Sequence, residues 1–435
     1  MDRNAIPMKK LLIVTSILPA LLAVFPAVVQ AQNKLVTTQF VVVGEGLAAG
    51  MADFSLSDVY QNFSFPALMA RQMKTTFPQP LLQPPGIGGG APGFSSRPAG
   101  LPTTLQSSVR EDFPPTPFVN NLAVPGATLS DVLNTAPVAP LLQPNNVKQT
   151  LTNFILGYPA LIAGNVLPRV SQVNYAAGLN PTLLIVEAGY YDVLDAAVNN
   201  DPSRLPDPVT FVNNYVAMLT RLNGSGRTIV LMTVPDPFDT AFFTPLDRAT
   251  RLLGLPAPAL SAVLHLNPSD TLTPNGMMAA GGLILTNGVP PNFPLSLLPG
   301  YVVSADTAAA VHDNLIALNS IINAAAAQAG PNVVVFDLQA LFRQVRTSGV
   351  AVGSSTLTAD YLGGFYSLDG YYPGQTGQAY IANQMLAFLN TSFGTSFPAL
   401  DLTQISPADP AVRFKPSFTK RPISFSIRPG KEAAN

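Results

Sequence analysis

The side chains that could do chemistry are few and lie in three short blocks. Glu45 and Gly46 end an apolar run, Phe40-Val-Val-Val-Gly44, in a tight glycine-rich turn that continues through Leu47-Ala-Ala-Gly50. Gly189-Tyr190-Tyr191-Asp192 follows a second apolar run beginning at Leu183. Asp369-Gly-Tyr371-Tyr372-Pro373 makes the third. Paired carboxylates such as Glu45 and Asp369 can activate water when their spacing is right. Tyr190, Tyr191, Tyr371 and Tyr372 could line an aromatic ligand site with hydroxyls as handles, or fill space as large rings. A tyrosine with a pKa near 10 is a poor base at neutral pH unless perturbed. The chain has two histidines, His265 and His312, and no cysteine. Each histidine stands alone and reads as a structural or surface residue. With no His/Cys cluster, Glu45, Asp192 and Asp369 would make at best a weak oxygen site, so neither metal nor cofactor is expected. Asp192, at a strand end, reads as a capping or turn residue.

These blocks, with a fourth at Asn121-Leu-Ala-Val-Pro-Gly126-Ala-Thr-Leu129, occur in an order that resembles the SGNH/GDSL hydrolases. The Gly44 turn is similar to that family's Gly-Asp-Ser-Leu, with Glu45 for the aspartate and Gly46 at the nucleophile position. The Asn121 block matches Asn-Leu-Ala-Val-x-Gly-Ala, with its oxyanion glycine retained as Gly126. The Gly189 block matches Gly-x-Asn-Asp, with Tyr191 in place of the asparagine. The last is similar to Asp-x-x-His-Pro, with Asp369 retained and Tyr372 at the histidine position. No serine or histidine lies within two residues of Gly46 or Tyr372, so a register slip does not restore them. The resemblance implies an ester-hydrolase ancestry with oxyanion positions at Gly46, Gly126 and Tyr191. A glycine has no side chain to form an acyl intermediate, and losing nucleophile and base together closes that route.

Lys9 and Lys10, an apolar run from Leu11 to Val29 and the ending Val29-Gln30-Ala31 predict a secretory signal peptide over residues 1–31, cleaved after Ala31. The competing reading is an uncleaved anchor helix; Pro19 and Pro26 interrupt the run and favour cleavage. A secreted or periplasmic protein follows, with no integral membrane segment after cleavage. The net charge is −1, which gives no electrostatic footprint for nucleic acid. Hydrophobic residues at 47% exclude a disordered chain, and 43 prolines point to stiff loops around a buried core. Asn62, Asn223 and Asn390 each head a glycosylation triplet, a pattern common by chance.

Five apolar runs predict buried parallel strands: Val36–Val43, Asn121–Val124, Thr182–Glu187, Thr228–Val234 and Asn332–Phe336. Helical patterns alternate with them at Pro66–Lys74, at Pro208–Leu222 with Phe211, Val212, Tyr215, Val216, Leu219 and Leu222 on one face, from Ser304 to Gly330, and at Thr376–Asn390. The expected fold is α/β, a flavodoxin-like three-layer sandwich around a five-stranded parallel sheet. The expected domain spans 32–396, with a Pro/Gly-rich excursion at 77–118 and a lid-like insertion at 253–299. A proline-rich tail, 397–435, is expected to be solvated covering. Three functions remain open. The leading expectation is a catalytically inactive relative that binds an acyl or other small-molecule ligand or a partner; the alternatives are an esterase or lipase with a rewired mechanism and a structural or assembly protein of the cell envelope.

Overall fold

Three consecutive valines with no polar interruption suit the middle of a covered sheet, and that is where the first strand lies. The computed structural model describes residues 34–88, 110–111, 118–162, 169–285 and 300–413. All belong to a compact unit beginning at Lys34, and the expected signal peptide lies outside them. Four parallel strands form the main sheet in chain order: β1 (Phe40–Gly44), β2 (Leu183–Glu187), β3 (Thr228–Met232) and β4 (Val333–Phe336). Every residue of β1, β2 and β3 is buried. The register pairs Gly44 with Glu187 and Met232 with Phe336. Glu45 and Glu187 therefore meet at the carboxyl edge, where open parallel sheets present their sites.

The expected fifth strand does not form among the described residues. Asn121 makes one parallel bridge to Val42, and Leu122 and Val124 donate to the carbonyls of Val42 and Gly44 at 2.9 and 3.1 Å. Pro125, which has no N–H, and the left-handed Gly126 (φ 79°) then turn the chain away.

The helices that matter to the site are α1 (Gly46–Ala49), α2 (Phe65–Met73), α3 (Tyr190–Val198), α4 (Pro208–Leu222), α5 (Leu246–Leu253), α6 (Ala257–Leu264), α7 (Pro274–Leu285), α8 (Ala305–Ala329) and α9 (Gln375–Phe393). The capping residues act as their types dictate. Asp207 accepts from Thr210 N at 2.9 Å to start α4, and Ser304 from Thr307 N at 3.2 Å to start α8, which stops at Gly330. On α4 the buried stripe is Phe211, Tyr215, Met218, Leu219 and Leu222. Val216, expected inside, is 46% exposed, and Val212 is only half-buried. The row 211, 215, 218, 222 sets the inward face, and the 212/216 row sits about 100° around from it.

Two segments expected at the surface are in part core. Phe77 stacks on Phe40 with ring centroids 4.9 Å apart, and Leu82 and Ile87 are fully buried, so the excursion is tied down at its start. After Phe397 the chain packs Phe397, Leu400, Leu402, Ile405 and Val412 against the main core. Buried Asp409 accepts from Thr376 N at 2.6 Å at the start of α9. Apolar residues spaced through the prolines explain this docking, and only the part to Arg413 is described. The insertion carries a core of its own, with Leu246, Ala249, Leu260, Leu264, Leu272 and Met277 gathered from α5, α6, α7 and a short antiparallel sheet. It begins at Thr244, earlier than expected. No helix among the described residues is long and apolar enough to cross a membrane.

Candidate functional site

The site is built outward from Gly44. A Cβ there would press on the Glu187 carbonyl and lie 2.8 Å from Glu187 Oε2, so only glycine lets the two strand ends close. The Gln172 side chain accepts from Gly44 N at 2.9 Å and donates to Gly44 O at 3.0 Å. Glu45 N–H then donates to Glu187 Oε2 at 3.0 Å. Gly44→Ala is expected to destabilise the protein by about 2 kcal/mol or more through this overlap, read as a lower urea midpoint; an unchanged midpoint would contradict the packing.

The Glu45 side chain folds back over the turn. Its Oε1 accepts from Leu47 N at 2.9 Å, and the Gly46 and Gly126 amides also face the carboxylate. Its Oε2 accepts from the Tyr372 hydroxyl at 2.5 Å. Two of the amides that the family resemblance assigns to an oxyanion thus serve the protein's own carboxylate. A Cβ built on Gly46 would lie on the Tyr372 hydroxyl, 2.5 Å from Cζ and 3.0 Å from Cε1. The tyrosine ring stands where a residue-46 side chain would be.

Tyr372 is held there by its own loop. Ser367 N–H donates to Tyr372 O at 2.9 Å, and Asp369 Oδ1 accepts from Tyr371 N and Tyr372 N at 3.0 and 2.8 Å. Asp369 therefore braces backbone. Asp53 clamps the loop from the other side, accepting from Leu368 N at 2.7 Å, while its own N–H donates to Ser367 Oγ at 3.0 Å. Asp53 and Phe54 both adopt left-handed backbone (φ 48° and 65°), unusual for non-glycine residues, and the Tyr60 hydroxyl donates to Asp53. Phe242, at the root of the insertion, donates its N–H to Gly370 O at 2.8 Å.

The four tyrosines part ways. Tyr190, Tyr371 and Tyr372 are 1%, 1% and 2% exposed. Their rings meet edge to face, with centroids 4.9 Å apart for Tyr371–Tyr372 and 6.4 Å for Tyr190–Tyr372. Tyr191 is half-buried and covers Gly126, its Cζ 3.7 Å from where a Cβ would sit. Of the two rings at the replaced family positions, Tyr372 thus lies inside and Tyr191 at the rim. Asp192 caps, accepting from Leu129 N at 2.8 Å. Of the histidines, His265 ends α6, and His312 on α8 lies 3.5 Å from Asp236.

Burial governs the electrostatics. It raises the Glu45 carboxyl to about 7 against the opposing hydrogen bonds from Tyr372 and the amides. It raises Asp369 to about 7, opposed by the Tyr372 backbone N–H. Glu187, also wholly enclosed, is raised by burial and by the neighbouring Glu45. Two enclosed carboxyls that interact this closely do not ionise together readily. Burial likewise raises the Tyr372 hydroxyl, and Glu45 beside it adds to the rise. Below neutral pH the enclosed carboxyls therefore keep protons that exposed ones would have lost. Neither Glu45 nor Asp369 is exposed to solvent.

Glu187, Asp53 and Gln172 were not singled out from sequence. For Glu187 a signal exists, since an acidic residue closes an otherwise apolar strand; for Asp53 and Gln172 none does, because their partners are far away in the chain. Among the described residues no three His, Cys, Asp or Glu side chains are placed to hold a metal ion. No protein-family model and no curated protein matches the chain.

Proposed function

We propose that this chain is a catalytically silent protein of SGNH/GDSL type, exported from the cell, that acts by binding a partner or ligand while its former active site serves as a packed plug. One observation carries this reading: the Tyr372 ring fills the space of a residue-46 side chain, with its hydroxyl on Glu45 at 2.5 Å. The parallel sheet, with the Asn121 segment beside β1 in the position of a fifth strand, is consistent with the flavodoxin-like three-layer sandwich of that family. The N-terminal pattern over residues 1–31 supports export. Since three of the four tyrosines are enclosed, binding is assigned to the rim at Tyr191 and to the outer surface. An envelope scaffold with the same plug is the neighbouring reading.

The competing reading, a rewired esterase, would require Glu45 or Asp369 to reach water. Hydrolysis of short- and long-chain nitrophenyl esters by the chain from Gln32 tests the two. Turnover no greater than in buffer, unchanged in Glu45→Gln and Asp369→Asn, is the expected result. Turnover that disappears in either variant would overturn the proposal.

A further inference from the structure

Asparagine is a labile side chain, and most so where glycine follows it. Glycine puts no side chain in the way when its amide nitrogen turns on the carboxamide carbon of the residue before it. In this chain Asn223, Asn275 and Asn287 each precede a glycine. Asn287 lies outside the described residues, and the other two sit in opposite surroundings.

Asn275 is 3% exposed and belongs to the first turn of α7. Gly276 N–H donates to Thr273 Oγ1 at 3.2 Å, and a Cβ on Gly276 would press on the Tyr301 carbonyl. Packing therefore holds both groups that would have to react. Asn223 is exposed and ends α4 in an extended conformation (φ −70°, ψ 138°). The chain then makes an open turn, Gly224-Ser-Gly-Arg227, in which Arg227 N–H donates to Gly224 O at 3.3 Å. Among the described residues Gly224 N–H has no acceptor. Apart from chain neighbours, the nearest atom to a Cβ placed on Gly224 would be Arg227 Cζ at 3.6 Å, and none lies within 4 Å of one on Gly226. Rotation about the Asn223 ψ angle thus swings an unpacked surface turn and brings Gly224 N to Cγ. What opposes it is one surface hydrogen bond, from Asn223 Nδ2 to Ala329 O at 3.1 Å, which ties the end of α4 to the end of α8.

We propose that Asn223 is a site of spontaneous deamidation, and that its conversion unties α4 from the end of α8. Gly224 N attacks Asn223 Cγ and forms an N–C bond; the Cγ–Nδ2 bond breaks, and ammonia leaves with the proton that Gly224 gives up. Water then opens the succinimide at either carbonyl, leaving aspartate or isoaspartate. Neither product keeps the side-chain N–H that Ala329 O accepts. Both put a carboxylate beside the carbonyl ends of α4 and α8, where the helix dipoles already carry partial negative charge.

The test is ageing of the chain from Gln32, which contains the whole compact unit from Lys34, in mildly alkaline buffer with residue-resolved peptide mass mapping. In the folded protein Asn223 should convert severalfold faster than Asn275. In urea the two should convert at similar rates, because folding no longer separates them. Gly224 is not left-handed, and a methyl group there meets only ordinary contacts, so Gly224→Ala should fold and melt at least as high as the parent. It should also keep Asn223 intact severalfold longer. Aged parent should show a lower urea midpoint than fresh parent, and Gly224→Ala aged beside it should not. Asn223 lasting as long as Asn275 in the folded protein, or converting in Gly224→Ala at the parent's rate, would overturn the site. Conversion that leaves the midpoint unchanged would overturn the untying of the two helices.

Discussion

Gly46→Ser is expected to destabilise the protein by about 3 kcal/mol, the upper end of what overpacking usually costs, and to yield no esterase. The new Cβ would meet the Tyr372 ring 2.5 Å from Cζ, and the ring has little room to retreat. Tyr190 and Tyr371 pack on it, Asp369 holds its backbone N–H, and its hydroxyl is bound to Glu45. Even if the loop yielded, the serine would lack a free base, because Asp369 is turned to backbone amides and both Glu45 oxygens are engaged by Leu47 N and the Tyr372 hydroxyl. Urea unfolding measures the cost. A stability equal to the parent would mean that the ring does not occupy this space.

The second large effect is in pH. Burial raises Glu45, Asp192 and Asp369 each to about 7, and raises Glu187 together with the charge of Glu45. In the unfolded chain such carboxyls titrate near 4. Between about pH 4 and about pH 7 the folded protein keeps protons that the unfolded chain has released, so each rise in pH favours unfolding. The stabilisation is fully present below about pH 4 and lost as the pH passes about 7. Each enclosed group contributes on the order of 3 kcal/mol over that window, with the Glu45 and Glu187 steps belonging to the pair.

Two carboxylates work the other way. Burial would raise Asp131 and Asp360, but the hydrogen bonds from Lys148 and Arg248 bring both below the ordinary range. Their contribution is lost as the pH falls through those lowered values. Stability should therefore be greatest at about pH 4, where the two sets cross, and decline by several kcal/mol toward pH 8. A urea midpoint that falls between pH 5 and 8, with a shallower fall in Asp369→Asn, is the expected pattern. A midpoint that rises over the same interval would show that the buried carboxyls are not protonated as described.

Much of this architecture was legible in the sequence because it is written in local pattern. The valines of β1, the start of α4 at Pro208, the Ser304 cap and the Gly330 stop depend on neighbours a few residues away, although β1 begins at Phe40 and not at Val36. Gly46 and Tyr372, singled out from sequence, do meet in the structure, and the possibility that tyrosines fill space there was legible too. What could not be read was which tyrosine goes where. Tyr190 and Tyr191 are adjacent, and the helical turn that begins at the left-handed Gly189 sends one inward and leaves the other at the rim. The missing fifth strand and the docked segment after Phe397 depend on long-range contacts that a one-dimensional pattern does not carry. Glu187 shows in sequence as an acidic residue closing an apolar strand, but its partners do not: Gly44 makes room for it and the Glu45 amide supplies a donor.

The central claim, that Tyr372 has taken the place of a residue-46 side chain, is tested most directly by a double-mutant cycle between positions 46 and 372. Gly46→Ala is made in the parent and in Tyr372→Ala, and the four stabilities are compared by urea unfolding. The methyl group should cost about 3 kcal/mol beside the tyrosine and close to nothing, or even a gain, once the ring is gone. Equal penalties in the two backgrounds would mean that the two positions do not compete for space, and the plug would have to be abandoned.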